Sequence, residues 1–125
     1  MPLVVRAFPL RGSISELQAF ASELTGARAA DADQFYRHYG VDHESWHVQQ
    51  TPHGPWVIGV TMVADPAEAA PRYANATQEF HVWFKERVLS LTGVDPNETP
   101  LGPPTTEVFS WSNRKAEQPN LARAS

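Results

Sequence analysis

The chain has no cysteine among its 125 residues, which excludes disulfides, thiolate metal sites and cysteine nucleophiles and fits a reducing compartment. It also lacks a basic block. Ten Lys and Arg are outnumbered by 14 acidic residues, spread along the chain for a formal charge of −4. Binding a phosphate backbone takes clustered positive charge, so nucleic acid is not an expected partner. No long hydrophobic run is present. The longest, VIGVTMVA at 57–64, falls far short of the ~20 residues of a membrane span and suits a buried strand. The opening letters MPLVVRAFPLRGSISEL are interrupted by Arg6 and Arg11 and contain no small-residue cleavage site. Together these absences predict a cytoplasmic protein without a membrane partner. A Gly-rich phosphate loop, a Ser-His-Asp ordering and a haem-attachment motif are missing as well.

What is there has the size of one domain, expected over 1–112 and followed by a polar tail at 113–125 without periodicity. LVVRAF at 3–8 reads as a strand ended by the turn letters PLRGS. Ser13 or Ser15 caps a helix in which Leu17, Phe20, Ala21 and Leu24 recur at spacings of three and four. Gly26 predicts a break, after which the helix resumes through Phe35 and Tyr39 and stops at Gly40. From Ser45 the period becomes two, and TPHGP before WVIGVTMV predicts a β-hairpin. Asp65-Pro66 starts another helix, kept short or bent by Pro71. Phe80, Trp83, Phe84, Val88 and Leu91 then mark a helical stripe over 78–92 with Gly93 as its stop, and TTEVFSW at 105–111 predicts a last strand. The order β-α-β-β-α-β is the ferredoxin-like arrangement, an α+β fold with a four-stranded antiparallel sheet. One face of such a sheet is left uncovered, and a second copy is the economical cover. The expected partner is therefore the chain itself, as a homodimer through sheet faces.

The segment HESWHVQQTPH at 43–53 spells H-E-x-x-H with a third histidine at metalloprotease spacing, Gln50 replacing the expected glycine. On a helix, His43 and His47 would lie about 6 Å apart along the axis at ~1.5 Å per residue. In a strand the same step is about 13 Å at ~3.3 Å per residue, too far for one ion with bonds of about 2 Å. The alternation after Ser45 favours the strand. A glycine at position 50 would also be needed to swing His53 back. Zinc hydrolysis is thus a remote alternative, with no metal and no cofactor expected.

Alternation predicts a polar strand face bearing Arg6, His47, Gln49 and Thr61, suited to orienting a carboxylate, quinone or phenol. Trp46, Val48, Gln50, Trp56 and Ile58 are expected on the opposite face, packed under the helices with Phe20, Phe35, Trp83 and Phe84. Gln50 with Tyr36 and His81 marks a second candidate pocket there, while His38 and His81 are the histidines outside the hairpin that a metal reading would recruit.

Several short motifs sit at landmarks of this order: Phe8-Pro9-Leu10 at the end of the first strand, Leu24-Thr25-Gly26 in the first helix, Gly40, Val41, Glu44 and Trp46 before a Gln50/Pro52 hairpin, and WFKERV in the last helix. On these the chain resembles the dimeric α/β-barrel superfamily, and more narrowly a group of small bacterial proteins of unassigned function, over about residues 3–111. The resemblance implies two ferredoxin-like subunits with their sheets pressed together. Its members include monooxygenases acting without metal or flavin, haem-handling proteins and simple binding proteins, so the fold does not fix the function. The leading expectation is a homodimer that binds a small organic molecule, with cofactor-independent oxygenase or isomerase chemistry beside it. The alternative is a non-enzymatic structural or regulatory dimer.

Overall fold

The computed structural model describes residues 2–99 and 102–113; most of the polar segment at 113–125 lies outside them. The described residues fold as an α+β unit of three strands and four helices: β1 (Leu3–Pro9), α1 (Ile14–Thr25), α2 (Ala29–His38), β2 (Val41–Thr51), β3 (Gly54–Val63), α3 (Pro66–Asn75) and α4 (Glu79–Thr92). Each boundary has a local cause. Ser13 opens α1 with a complete capping box, its hydroxyl accepting from the Glu16 backbone N–H while the Glu16 carboxylate accepts from the Ser13 N–H. α1 stops at Gly26 and α2 begins three residues later. Gly40, with φ 71°, takes the left-handed turn into β2. Asp65 caps α3, with Pro66 in its first turn and Pro71 accommodated inside it. Gly93, with φ 74°, closes α4.

All three strands are antiparallel, in the order β1-β3-β2. A tight turn at Pro52-His53 joins β2 to β3, held by the Thr51 hydroxyl donating to the Gly54 carbonyl at 2.7 Å. The sheet has three strands where four were expected. Residues 104–113, which include the expected last strand, carry no strand and are exposed; the Thr105 hydroxyl donates to the Val5 carbonyl, placing this segment beside the free edge of β1. Val108, Phe109 and Trp111 are 93%, 81% and 76% exposed. Among the described residues no helix is long and apolar enough to cross a membrane.

The core lies between one sheet face and the helices. Phe35 is its hub, with Tyr36, Tyr39, Tyr73, Phe80, His81 and Phe84 around it at centroid distances of 4.5 to 5.9 Å. Phe20 stacks on Trp46 at 5.4 Å and meets Trp83 and Phe84 by its edges. Outside this layer, Arg28 pairs with Glu79 at 2.6 Å and spreads its guanidinium over Trp83 at 4.3 Å.

Candidate functional site: a cavity between sheet and helices

Register decides which side chains face the helices, because directly paired residues share a face. Arg6 pairs with Gly59 and Gly59 with Trp46, while Val4 pairs with Thr61 and Thr61 with Glu44. These two rows face the core. The opposite face takes the rows Ala7–Ile58–His47 and Pro9–Trp56–Gln49. Arg6 and Thr61 are therefore on the face opposite to His47 and Gln49, which corrects the single polar face expected from alternation. Trp56 and Ile58 likewise leave the helix side for the outer face. A register irregularity lies between Val41 and His43, at the start of β2. The extra residue, Asp42, flips the phase of β2, so that Val41 and Glu44, an odd number of positions apart, both point inward.

Over the Arg6–Gly59–Trp46 row lies a cavity of about 180 Å³. Gly59 is its floor: a methyl group placed there would meet no atom within 4 Å. Phe20, Phe84, Tyr36 and Tyr73 form the helix side, with Val4, Phe8, Val57 and Val63 along the sheet. Into this apolar space project two ionisable groups. Glu44 is held from both oxygens, accepting from the Thr61 hydroxyl at 2.7 Å and from the Trp46 indole N–H at 2.6 Å. Burial nevertheless outweighs those two bonds and the attraction of His43, and raises the Glu44 carboxyl above the usual carboxylate range. Burial, with the Glu44 charge as a lesser cause, also pushes the Tyr36 and Tyr73 phenols far up, so both stay neutral. Arg6 donates from Nη1 to its neighbour's carbonyl at Val5, 3.0 Å, but its buried Nε–H has no hydrogen-bond partner among the described residues. Such a group is rare in a folded protein and is a candidate for a partner from outside.

The other expected residues are dispersed. His47 is exposed on the outer face, bonded to the Ser45 hydroxyl at 3.0 Å, and Gln49 donates to the Gln50 carbonyl at 3.1 Å. The second expected pocket does not form. Tyr36 joins the main cavity, Gln50 is exposed near the hairpin, and His81 is buried against Tyr39, whose hydroxyl meets its Nδ1 at 2.7 Å. His38 instead accepts from Arg72 at 3.0 Å. His43 and His47 lie on β2 in extended backbone, so the spacing argument against a shared ion applies to them directly. Among the described residues no group of three or more His, Asp or Glu could hold a metal.

Sequence reasoning missed Glu44 and Tyr73. One signal was available: a glycine inside the apolar run VIGVTMV marks a place where a strand leaves room for something else. Comparison with protein-family models, with curated proteins and with solved structures finds no match.

Proposed function

We propose that the protein binds a small, largely apolar organic molecule in the cavity over Gly59. The observation that carries this reading is the unpartnered Arg6 Nε–H buried at an apolar cavity that also presents the Glu44 carboxyl. Desolvating a guanidinium without a full set of acceptors costs stability, and a ligand acceptor would recover it. The volume is appropriate, since an engineered apolar cavity of about 150 Å³ takes benzene. A carboxyl with raised affinity for its proton, across the cavity from a cation, also suits proton transfer to a bound substrate, the form of cofactor-independent chemistry this site supports. The test is a Gly59→Leu variant, whose side chain fills the cavity from its floor. A thermal-shift screen of aromatic acids, phenols and quinones should find stabilising ligands for the native protein and lose them in Gly59→Leu, whose own melting temperature should not fall. Ligands that stabilise both proteins equally would place binding elsewhere and sink the reading.

A second reading concerns assembly and stands on a different observation. Val5, Ala7, Trp56, Ile58, Val60 and Met62 form a half-exposed apolar strip on the outer sheet face, and Phe109 and Trp111 stand in solvent on the segment that follows Thr105. A continuous apolar surface of this kind marks an association site. We take its occupant to be a second copy, because each chain supplies both the open face and the exposed aromatic segment. In that assembly residues 105–111 would complete a four-stranded ferredoxin-like sheet next to β1, and two sheets would close as an α/β barrel. Sedimentation equilibrium should give a dimer that Ile58→Asp converts to monomer, whereas a monomeric native protein would refute it.

A further inference from the structure

The ligand-binding reading leaves the chemical class of the ligand open, and the placement of the two ionisable groups narrows it. Arg6 rises from β1 and Glu44 from β2, with β3 between them. Their backbones are separated by two interstrand spacings, about 10 Å, and by two residues along the strands, about 7 Å. Between them β3 turns two small residues inward, Gly59 beside Arg6 and Thr61 beside Glu44, and Gly59 leaves the floor open. The cation and the carboxyl therefore do not answer each other. Arg6 has one bond, to Val5, and an idle Nε–H, while Glu44 is anchored by Thr61 and Trp46. An anchored carboxylate with two occupied oxygens still has lone pairs to accept a further donor. The site thus asks for an acceptor at one end, a donor at the other, and something flat between them.

Flatness follows from the walls. Phe20 and Trp46, stacked with an interplanar angle of 29°, and Phe84, tilted at 58° to Phe20 at 5.2 Å, all line the cavity, so aromatic rings make up much of its wall. Such walls favour an aromatic ring laid against them in offset or edge contact. A volume of about 180 Å³ admits one substituted ring.

We propose that the cavity selects a monocyclic aromatic with polar groups at opposite ends of the ring, of the 4-hydroxybenzoate class, its carboxylate or carbonyl accepting from Arg6 Nε and its hydroxyl donating to Glu44. This rests on the cavity being a ligand site at all, and the probes separate the two claims. Isothermal titration of the native protein is run with 4-hydroxybenzoate, benzoate, phenol, 4-methoxybenzoate, 2-hydroxybenzoate and indole. The first binds at least about tenfold more tightly than benzoate or 4-methoxybenzoate, which offer Glu44 no donor, and than phenol, which offers Arg6 no carboxylate. The 2-hydroxy isomer, unable to reach both ends, is weakened to a similar extent. Arg6→Met removes the preference for 4-hydroxybenzoate over phenol, and Gly59→Leu abolishes binding of every probe. The class is overturned if the five acids and phenols bind within threefold of one another, or if Arg6→Met leaves 4-hydroxybenzoate affinity unchanged. Indole binding that Gly59→Leu abolishes, alongside such a flat series, overturns the class and keeps the cavity. Absence of binding by all six probes overturns both.

Discussion

Lys85 and Arg6 are both cations whose polar ends are drawn in from solvent, and they are treated differently. Lys85, only 7% exposed, donates its three Nζ hydrogens to the Ala74 carbonyl at 3.0 Å, the Ala76 carbonyl at 2.9 Å and the Asn97 side chain at 2.9 Å. In doing so it ties the α3–α4 connection and the chain after α4 to α4 itself. Arg6 answers a single carbonyl, that of its own neighbour, and keeps an unpartnered Nε–H at the cavity. The same contrast divides the remaining buried polar groups: Tyr39 and His81 close on each other, whereas Glu44, though anchored, faces open volume. Groups fully answered by the chain hold the fold together, and groups left partly answered over a cavity are available to something else.

The largest effect that tests this contrast is Lys85→Met. Methionine retains most of the apolar stem but strands two carbonyls and an amide oxygen, a loss of about 3 kcal/mol for three charge-assisted bonds in a buried setting. The melting temperature should fall by about 10 °C, read by circular dichroism. A fall of only a degree or two would mean that water replaces the ammonium without cost and that the answered cation is no structural tie.

Next in size is Tyr39→Phe, which removes the hydroxyl and leaves His81 Nδ1 buried without its partner, a cost of about 1 to 2 kcal/mol. The pH dependence of this region has a defined sign. Burial, helped by His38 and Lys85, lowers the proton affinity of His81 below that of an ordinary histidine. The unfolded chain therefore binds the proton more readily, and the native protein loses stability as pH drops below about 6.5, the unfolded value. Urea midpoints measured between pH 8 and 5 should decline for the native protein, and a His81→Gln variant should flatten that decline. An unchanged slope would remove His81 from the account.

These two regions were not equally legible in the sequence. The helices, their breaks at Gly26 and Gly40 and the stop at Gly93 follow from local rules, since capping and periodicity act within a few residues of each other. The hairpin was visible for the same reason. The cavity depends instead on register between strands far apart in the chain, and alternation alone fixes relative phase within one strand but not across three. The large Trp56 argued for burial and lies on the outer face, while Gly59 and Thr61, small or polar, turn toward the core. The bulge at Asp42, which brings Val41 to the same inward side as Glu44 and Trp46, has no signature in the letters around it. The expected fourth strand is not formed at 105–111: TTEVFSW has strand composition, but it meets the edge of β1 through a side chain, the Thr105 hydroxyl on the Val5 carbonyl, and not through a backbone ladder.

Glu44→Gln separates charge from shape within the cavity. A carboxyl whose proton affinity is raised by burial binds its proton more readily in the folded state than in the unfolded one. Its contribution is therefore fully present below the unfolded value, about 4.3, and is lost as pH rises through the higher folded value. Glutamine never ionises, so the variant should gain on the native protein by about 1 kcal/mol at neutral pH, the scale of one exchanged hydrogen bond, and lose that gain by pH 4. The difference between the two stability curves isolates this group from His81, which is common to both. A difference independent of pH would mean that folding leaves the proton affinity of Glu44 unchanged, and would remove the burial of this carboxyl from the account.

The smallest effect on stability, and the sharpest contrast, comes from repeating the lysine experiment at the other cation. Arg6→Met deletes one hydrogen bond to the Val5 carbonyl and one unpartnered buried N–H, whose removal relieves a cost instead of creating one. The two contributions oppose each other, so the net change should lie within about 0.5 kcal/mol of zero, as replacement of a poorly answered buried charge by an apolar side chain often does. Identical chemistry at positions 85 and 6 would then separate by about 2.5 kcal/mol in the same assay. Were Arg6→Met as damaging as Lys85→Met, Arg6 would belong with the structural cations, and the cavity over Gly59 would lose the group that most plainly asks for a ligand.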